Sequence, residues 1–225
     1  LQTGNGREII LGSGKFLNRA VPIAMNVPEG WGGNIDVYAS KSSKFGRFYV
    51  DRQEGSIIAF NGKPVPISNQ GLREFMKENL ALFIVEQFPH YEQIGLAVNF
   101  IGYSIGFDPR LNRMLITKID YKTLNPDIVR FEDNLWYKLE NGQKTPIRLG
   151  DTKYFINTSF TVSYNLVTNA WISWHTYFPS HYMNDRKWMY SLLGNKVYRH
   201  SSARTFLNFY GVQNEWIVDI NFRMP

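Results

Sequence analysis

Three hairpin-like stretches recur along the chain at a constant spacing, and this repeat constrains the fold more than any other feature of the sequence. Each stretch has an apolar segment, an Asp or Asn, three further residues, a Gly or Asn, and a second apolar segment. The leading residues are Asp51, Asp108 and Asn165, so both intervals are 57 residues. Equal spacing of similar hairpins predicts a repeat architecture.

The polar residues of each hairpin have an explanation in turn geometry. The side-chain oxygen of a leading Asp or Asn accepts hydrogen bonds from backbone N–H groups two residues further on. A Gly or Asn four residues later tolerates a positive φ, which closes a hairpin. The structural turn residues predicted in this way are Asp51, Gly55, Asp108, Asn112, Asn165 and Asn169. The alternative is that Asp51 and Asp108 are catalytic carboxylates, but turn chemistry explains the same residues.

The strands after these turns favour a β-propeller-like array of antiparallel hairpin blades over a simple sandwich. Residues 57–60, 114–116 and 171–178 are apolar on both faces, whereas a strand with one wet face would alternate. A blade between neighbouring blades is covered on both sides. A fourth interval ends at Phe222, where no such turn occurs. We therefore expect an all-β fold with one short helix, whose array closes as a small propeller or forms an incomplete ring.

The expected organisation is a Gly-rich region of loops and short strands over residues 1–33, followed by a propeller-like repeat region over residues 34–225. The chain begins at Leu1 rather than Met, so we expect it to be a piece of a longer polypeptide. The expected repeat units lie near residues 34–90, 91–150 and 151–225.

One short helix is predicted over about residues 70–79, with Ser68 or Asn69 as its cap. Its apolar stripe is formed by Leu72, Phe75, Met76 and Leu80. Further tight turns are predicted at residues 140–143, 193–196 and 213–214.

The composition excludes several classes of protein. The chain has no cysteine, which excludes a disulfide framework and thiolate chemistry. Its longest apolar stretches, such as residues 80–85, are too short to cross a bilayer. A net charge of +6 is scattered without a run of like charges, so it indicates either an anionic partner such as DNA or ordinary solvated charge.

The sequence has no complete motif for a cofactor, a metal or a nucleophile. Residues 12–15 (GSGK) lack the spacing of a phosphate loop. Residues 102–106 match GxSxG in letters, but a nucleophile elbow needs a following helix and none is predicted. His175 and His181 are six residues apart, which fits no standard zinc pair. We therefore expect no catalytic residue, no cofactor site and no metal site.

One dense group of aromatic side chains is expected to serve packing, either in the core or between subunits. The group consists of Trp171, Trp174, His175, Tyr177 and Phe178. The alternative is that its indoles stack on sugars beside two facing carboxylates, as in a glycosidase.

Several stretches resemble the large virion proteins of crAss-like short-tailed bacteriophages, and their tail muzzle family in particular. The stretches are residues 48–51, 67–72, 106–118, 160–179 and 208–216. The WISWH segment at residues 171–175 is the most specific of them, and the likeness extends over roughly residues 7 to 222. Members of that family are much longer than this chain.

The resemblance implies a non-enzymatic structural protein of the distal tail, related in role to tail nozzles. Copies would form a ring around the DNA exit channel, retain the genome and guide its ejection. Its partners would be copies of itself, other tail proteins and, transiently, phage DNA, with assembly in the bacterial host cytoplasm. The family brings no catalytic residues.

The alternative function is a carbohydrate-binding or carbohydrate-cleaving propeller. A third possibility is a DNA-contacting subunit, which would be marked by Arg and Lys clustered on one face.

Overall fold

The structure is a computed structural model that describes residues 33–36, 38–94, 101–201, 208–213 and 215. The chain divides into two compact units, Leu1–Trp31 and Gly32–Pro225, and all described residues belong to the second. The described part is 49% strand and 11% helix, so the predicted β-rich character is confirmed. The predicted Gly-rich region over residues 1–33 lies almost entirely outside the described residues.

The first sheet is an antiparallel meander of four strands. In spatial order these are β1 (Ser40–Ser43), β2 (Gly46–Asp51), β3 (Ser56–Phe60) and β4 (Pro64–Pro66). The β2–β3 turn contains Gly55 with φ of +60°, and a Cβ there would lie 2.7 Å from Cα of Lys77. Glycine is therefore required at Gly55 both for its φ and for the close approach of a helix.

A helical segment follows the first sheet. A 3₁₀ turn (Ile67–Asn69) leads into α1 (Arg73–Asn79), α2 (Phe83–Gln87) and α3 (Pro89–Ile94). The predicted helix is present as α1, while α2 and α3 were not predicted. The predicted cap is wrong, because α1 begins after Leu72 without a side-chain cap, and Ser68 Oγ instead accepts a hydrogen bond from the backbone N–H of Ile57.

The central sheet has the spatial order β13–β12–β6–β5 and is antiparallel throughout. Its strands are β5 (Gly102–Asp108), β6 (Arg113–Ile119), β12 (Phe160–Asn165) and β13 (Ala170–His175). Strand β6 is buried on both faces, because Met114 and Ile116 belong to one apolar cluster and Leu115 to another. This explains its continuous apolar run.

The remaining strands form small antiparallel sheets. Strand β7 (Tyr121–Thr123) pairs with β11 (Phe155–Asn157), and β8 (Val129–Glu132), β9 (Leu135–Glu140) and β10 (Gln143–Ile147) form a meander. A second meander contains β14 (His181–Asn184), β15 (Met189–Leu193) and β16 (Lys196–Arg199), and β17 (Asn208–Phe209) pairs with β18 (Val212–Gln213).

The propeller-like array is not found in the described residues, which contain no closed ring of blades. The first repeat hairpin lies in the first sheet, whereas the second and third lie together in the central sheet through the pairing of β6 with β12. The 57-residue repeat therefore repeats a turn, and it does not repeat a separate sheet for each unit. The predicted propeller is therefore not confirmed.

Two of the other predicted turns occur where expected. The β9–β10 turn has positive φ at Asn141 and Gly142, and the β15–β16 turn has positive φ at Gly194. The third predicted turn, at residues 213–214, lies partly outside the described residues; within them, β17 and β18 are joined at Tyr210 and Gly211, with φ of 57° and 85°.

Candidate functional site

The three repeat turns share one hydrogen-bond pattern. In each turn, Oδ1 of the leading residue accepts hydrogen bonds from the backbone N–H groups two and three residues on, at 2.8 to 3.3 Å. The residue that closes each turn has a φ between 46° and 60°. The leading residues are Asp51, Asp108 and Asn165, and the closing residues are Gly55, Asn112 and Asn169.

Asp108 differs from Asp51 in what its second carboxylate oxygen contacts. Oδ2 of Asp108 lies 3.5 Å from Nε of Arg113 and accepts a hydrogen bond of 3.5 Å from Ser201 Oγ. Oδ2 of Asp51 has no hydrogen-bond partner within the described ranges. Asp108 is thus both a turn residue and a member of a buried polar cluster.

The cluster continues where the β14–β15–β16 sheet meets the β17–β18 hairpin. Oγ of Ser191 lies 2.7 Å from Nε2 of His200 and 2.7 Å from the hydroxyl of Tyr210. The same hydroxyl lies 3.3 Å from Nε2 of His200. One serine, one histidine and one tyrosine therefore hold the hairpin against the sheet.

A second histidine approaches the cluster from the central sheet. Nε2 of His175 lies 3.0 Å from Oγ of Ser163, and the His175 ring lies 4.9 Å from the ring of Tyr177. Tyr177 also contacts Phe209 and Tyr210 of the hairpin, both with ring centroids 5.1 Å away. Tyr177 therefore links His175 to the hairpin, in addition to the direct contact of His175 with Phe209 at 6.3 Å.

The electrostatics of this cluster disfavour charge on the histidines. Burial lowers the pKa of His175 to about 4, and the charge of Arg113, together with that of His200 when it is protonated, acts in the same direction. Burial and Arg113 likewise lower the pKa of His200 to about 4, against a smaller opposing effect of Asp108. Burial raises the pKa of the Tyr210 hydroxyl to about 12. All three groups are therefore neutral near pH 7.

The Ser191–His200 distance is one that a nucleophile and its general base adopt. Ser191 is fully buried, however, and His200 is 8% exposed. A substrate needs access to the attacking oxygen, and here Tyr210 and Met189 belong to the packing around it. The arrangement acts as a hydrogen-bonded joint between two sheets.

A buried ion pair, absent from the sequence predictions, links the central sheet to the helices. Nζ of Lys118 lies 2.9 Å from Oδ2 of Asp120, and both side chains are fully buried. Lys118 also donates to the backbone carbonyls of Asn79 and Ala81 at the end of α1. Asp120 accepts hydrogen bonds from the first backbone N–H groups of α2, at 2.7 and 3.2 Å. The ion pair thus supplies hydrogen-bond partners to the backbone carbonyls at the end of α1 and to the backbone N–H groups at the start of α2. These contacts and the ion pair itself account for both buried charges.

The predicted aromatic packing group does not form one buried layer. Tyr177 is buried, whereas Trp171, His175 and Phe178 are half-buried. Trp174 is 54% exposed, because β13 is an edge strand of the central sheet. Its ring packs edge-on against Phe75 at 4.7 Å. The expectation that residues 171–178 are covered on both faces is therefore wrong for β13.

The described residues of the GxSxG match and of the His175–His181 pair do not form a catalytic or metal-binding site. Ser104 of the GxSxG match lies buried inside β5, so it is not at a turn between strand and helix. His181 lies on β14 and packs against Tyr38 at 4.6 Å. Within the described ranges, no three His, Asp or Glu side chains are grouped as metal ligands would be. The GSGK segment at residues 12–15 lies outside the described residues.

A scan against models of protein families finds no match for this chain, and a search of curated proteins finds no similar protein. No helix in the described part of the chain has the length and apolar character needed to span a bilayer.

Proposed function

We propose that the chain is a structural protein of the tail of a short-tailed bacteriophage. In this role, copies assemble as a ring around the DNA exit channel, retain the genome and guide its release. The proposal combines the resemblance of residues 160–179 to muzzle-type proteins with one structural observation, the open edge of the central sheet. That edge is the surface through which we expect neighbouring subunits to pack.

The open edge is strand β13. Among the described strands it pairs with β12 alone, so its outer backbone groups face away from the sheet. It exposes Ile172 at 46% and Trp174 at 54%. An edge strand with exposed apolar side chains is a template for pairing or packing with another chain. In a ring, that other chain is a second copy of the same protein.

The buried joints support a mechanical rather than a chemical role. The Lys118–Asp120 pair connects the central sheet to the helices, and the hydrogen bond between Ser191 and Tyr210 connects the β14–β15–β16 sheet to the β17–β18 hairpin. A subunit that must hold a pressurised genome needs sheets that do not slide past one another. Hydrogen-bonded cross-links between sheets provide that resistance.

Cryo-electron microscopy of virions that contain this chain tests the proposal. We expect density for its sheets at the distal tail, repeated by rotational symmetry around the channel. Density for the chain in the capsid shell, or at the tail without rotational symmetry around the channel, refutes it. The edge is tested by Ile172→Lys, which places a charge on β13 and is expected to abolish ring formation. Leu135→Lys, at a residue that is 54% exposed on β9, the middle strand of its sheet, is the matched control.

The carbohydrate alternative is favoured by one observation, the exposed indole of Trp174, because sugars stack on such rings. A cleft of about 270 Å³ between the central sheet and the β15–β16 turn contains neither a tryptophan nor a carboxylate. Its lining residues are Ile119, Tyr121, Ser159, Phe178, Ser180, Leu193 and Gly194. Binding of surface glycans to the wild-type chain but not to Trp174→Ala would favour this alternative over the ring.

A further inference from the structure

A basic surface centred on one indole lies next to the Asp108 turn. Trp188 is in the turn between β14 and β15, and the guanidinium of Arg110 lies 4.5 Å from its ring centroid. The guanidinium of Arg199 lies 4.7 Å away and Nζ of Lys187 lies 5.4 Å away. All three cations are exposed, and Trp188 is half-buried. We call these four residues the Trp188 surface.

The Trp188 surface is held in place from three directions. Oδ1 of Asp185 accepts hydrogen bonds of 2.6 Å from the backbone N–H groups of both Lys187 and Trp188, which fixes the turn. Arg110 is carried by the Asp108 turn, and its Nη1 donates to the carbonyl of Ser201 at 2.8 Å. Arg199 is on strand β16. Segments far apart in sequence thus converge on one ring.

The convergence concentrates positive charge. Three cations within about 6 Å of one ring centroid repel one another, and the indole offsets part of this through cation–π attraction. Asp185 is the acid of the turn, and its pKa is lowered chiefly by the hydrogen bonds from Trp188 and Lys187, so it is ionised at pH 7. Its carboxylate brings the local charge of these four ionised groups to +2. The surface therefore attracts an anion that carries several charges in succession.

We propose that the Trp188 surface binds the phosphodiester backbone of DNA. Planar guanidiniums bind phosphate oxygens through paired N–H donors, and the Trp188 ring holds two of them, Arg110 and Arg199, close together through cation–π contacts. The choice of duplex DNA among anionic polymers rests on the proposed function, since DNA is what passes through a tail channel. The positive charge and the ring geometry stand independently of that function. Together, the proposed ring and the proposed DNA binding place the Trp188 surface on the side of the subunit that faces the channel.

The salt dependence of the binding constant measures how many phosphates the Trp188 surface neutralises. If each of the three cations neutralises one phosphate, the logarithm of the binding constant falls with the logarithm of salt concentration with a slope of about −2.7 from these contacts. That slope corresponds to a roughly 40-fold loss of affinity between about 50 and 200 mM salt. Contacts elsewhere on the chain would add to the slope without changing this share.

The experiment measures binding of a short fluorescein-labelled DNA duplex by anisotropy over that range of salt. The test variant carries Arg110→Gln, Lys187→Gln and Arg199→Gln. The matched control carries Lys63→Gln, Arg148→Gln and Lys153→Gln, which remove the same charge from exposed positions elsewhere. Thermal unfolding of both variants establishes that each is folded. If the triple variant unfolds, Arg199→Gln replaces it with Lys63→Gln as its control, and the expected loss in slope is then about 0.9. Poly-glutamate serves as a second anionic probe.

We expect the test variant to lose at least ten-fold in affinity for the duplex and about 2.7 in slope, and the control variant to retain both. Equal losses in the two variants, no binding by the wild type at low salt, or equal displacement by poly-glutamate would overturn the proposal. The proposed tail position is decided separately, by microscopy of virions. DNA binding without a tail position, or a tail position without DNA binding, therefore identifies which of the two inferences failed.

Discussion

Acidification should destabilise this protein through His175 and His200, and the size of the effect follows from their surroundings. His175 and His200 both have a pKa of about 4 in the folded chain, below the usual value of 6.5. Burial is the main cause for each, and Arg113 adds to it. Between about pH 6.5 and pH 4 the unfolded chain binds protons at these positions and the folded chain does not. The free energy of unfolding must therefore decrease as the pH falls through this window.

The magnitude can be worked from the two pKa values. At about pH 5, protonation of one such histidine in the unfolded chain alone costs the folded state about 2 kcal/mol, so the pair costs about 4 kcal/mol. Below about pH 4 the folded chain binds the same protons and this contribution stops growing. Since small domains are stable by roughly 5–15 kcal/mol, a loss of this size is measurable well before global acid denaturation.

Urea unfolding of the wild type and of a His175→Gln/His200→Gln variant, at about pH 7.5 and pH 5, isolates this effect. The variant loses the hydrogen bonds to Ser163 and Ser191, so it should be less stable at the higher pH. Its further loss on acidification should be smaller than that of the wild type by about 4 kcal/mol. His90→Gln, at an exposed position on α3, controls for removal of a histidine. Parallel losses in wild type and double variant, within about 1 kcal/mol, would refute the reasoning.

Three further variants test the packing of the described core. Lys118→Met leaves Asp120 charged, buried and without its ion-pair partner, and should cost about 3–5 kcal/mol in urea unfolding. In Gly106→Ala the new Cβ would lie 2.6 Å from a ring carbon of the fully buried Tyr182, so thermal unfolding should reveal a loss of roughly 1–3 kcal/mol. Tyr210→Phe removes one hydroxyl from the Ser191 joint, and hydrogen exchange should increase in the β17–β18 hairpin with a loss of about 1 kcal/mol.

Local chemistry made part of the fold predictable. The turns at Asp51, Asp108 and Asn165 depend on residues within four positions of one another, so the sequence pattern was sufficient to find them. The helix α1 was predictable for the same reason, because its apolar stripe repeats at helical spacing. Its true beginning was not, since Ser68 is engaged by the distant backbone of Ile57 rather than by the helix.

Long-range pairing made the rest unpredictable. Whether a strand is central or at an edge depends on partners elsewhere in the chain, so the apolar residues of β13 could not reveal that Trp174 is exposed. The buried cluster has the same origin. Asp108, His175 and His200 come from separate strands and turns, and only the assembled sheets bring their neighbours together. The Lys118–Asp120 pair is not predictable from the sequence, because Lys and Asp side chains are usually solvated.

The repeat turns explain how one backbone device can serve different purposes along the chain. The residue two positions after the leading Asp or Asn is Gln53 in the first turn, Arg110 in the second and Val167 in the third. The same hydrogen bond to Oδ1 fixes its backbone N–H in all three turns. Only in the second turn is the residue at this position a cation, and its guanidinium lies over the ring of Trp188 in the β14–β15 turn. The repeated turn therefore sets the position, and the side chain placed there decides whether the turn only closes a hairpin or also presents charge to a partner.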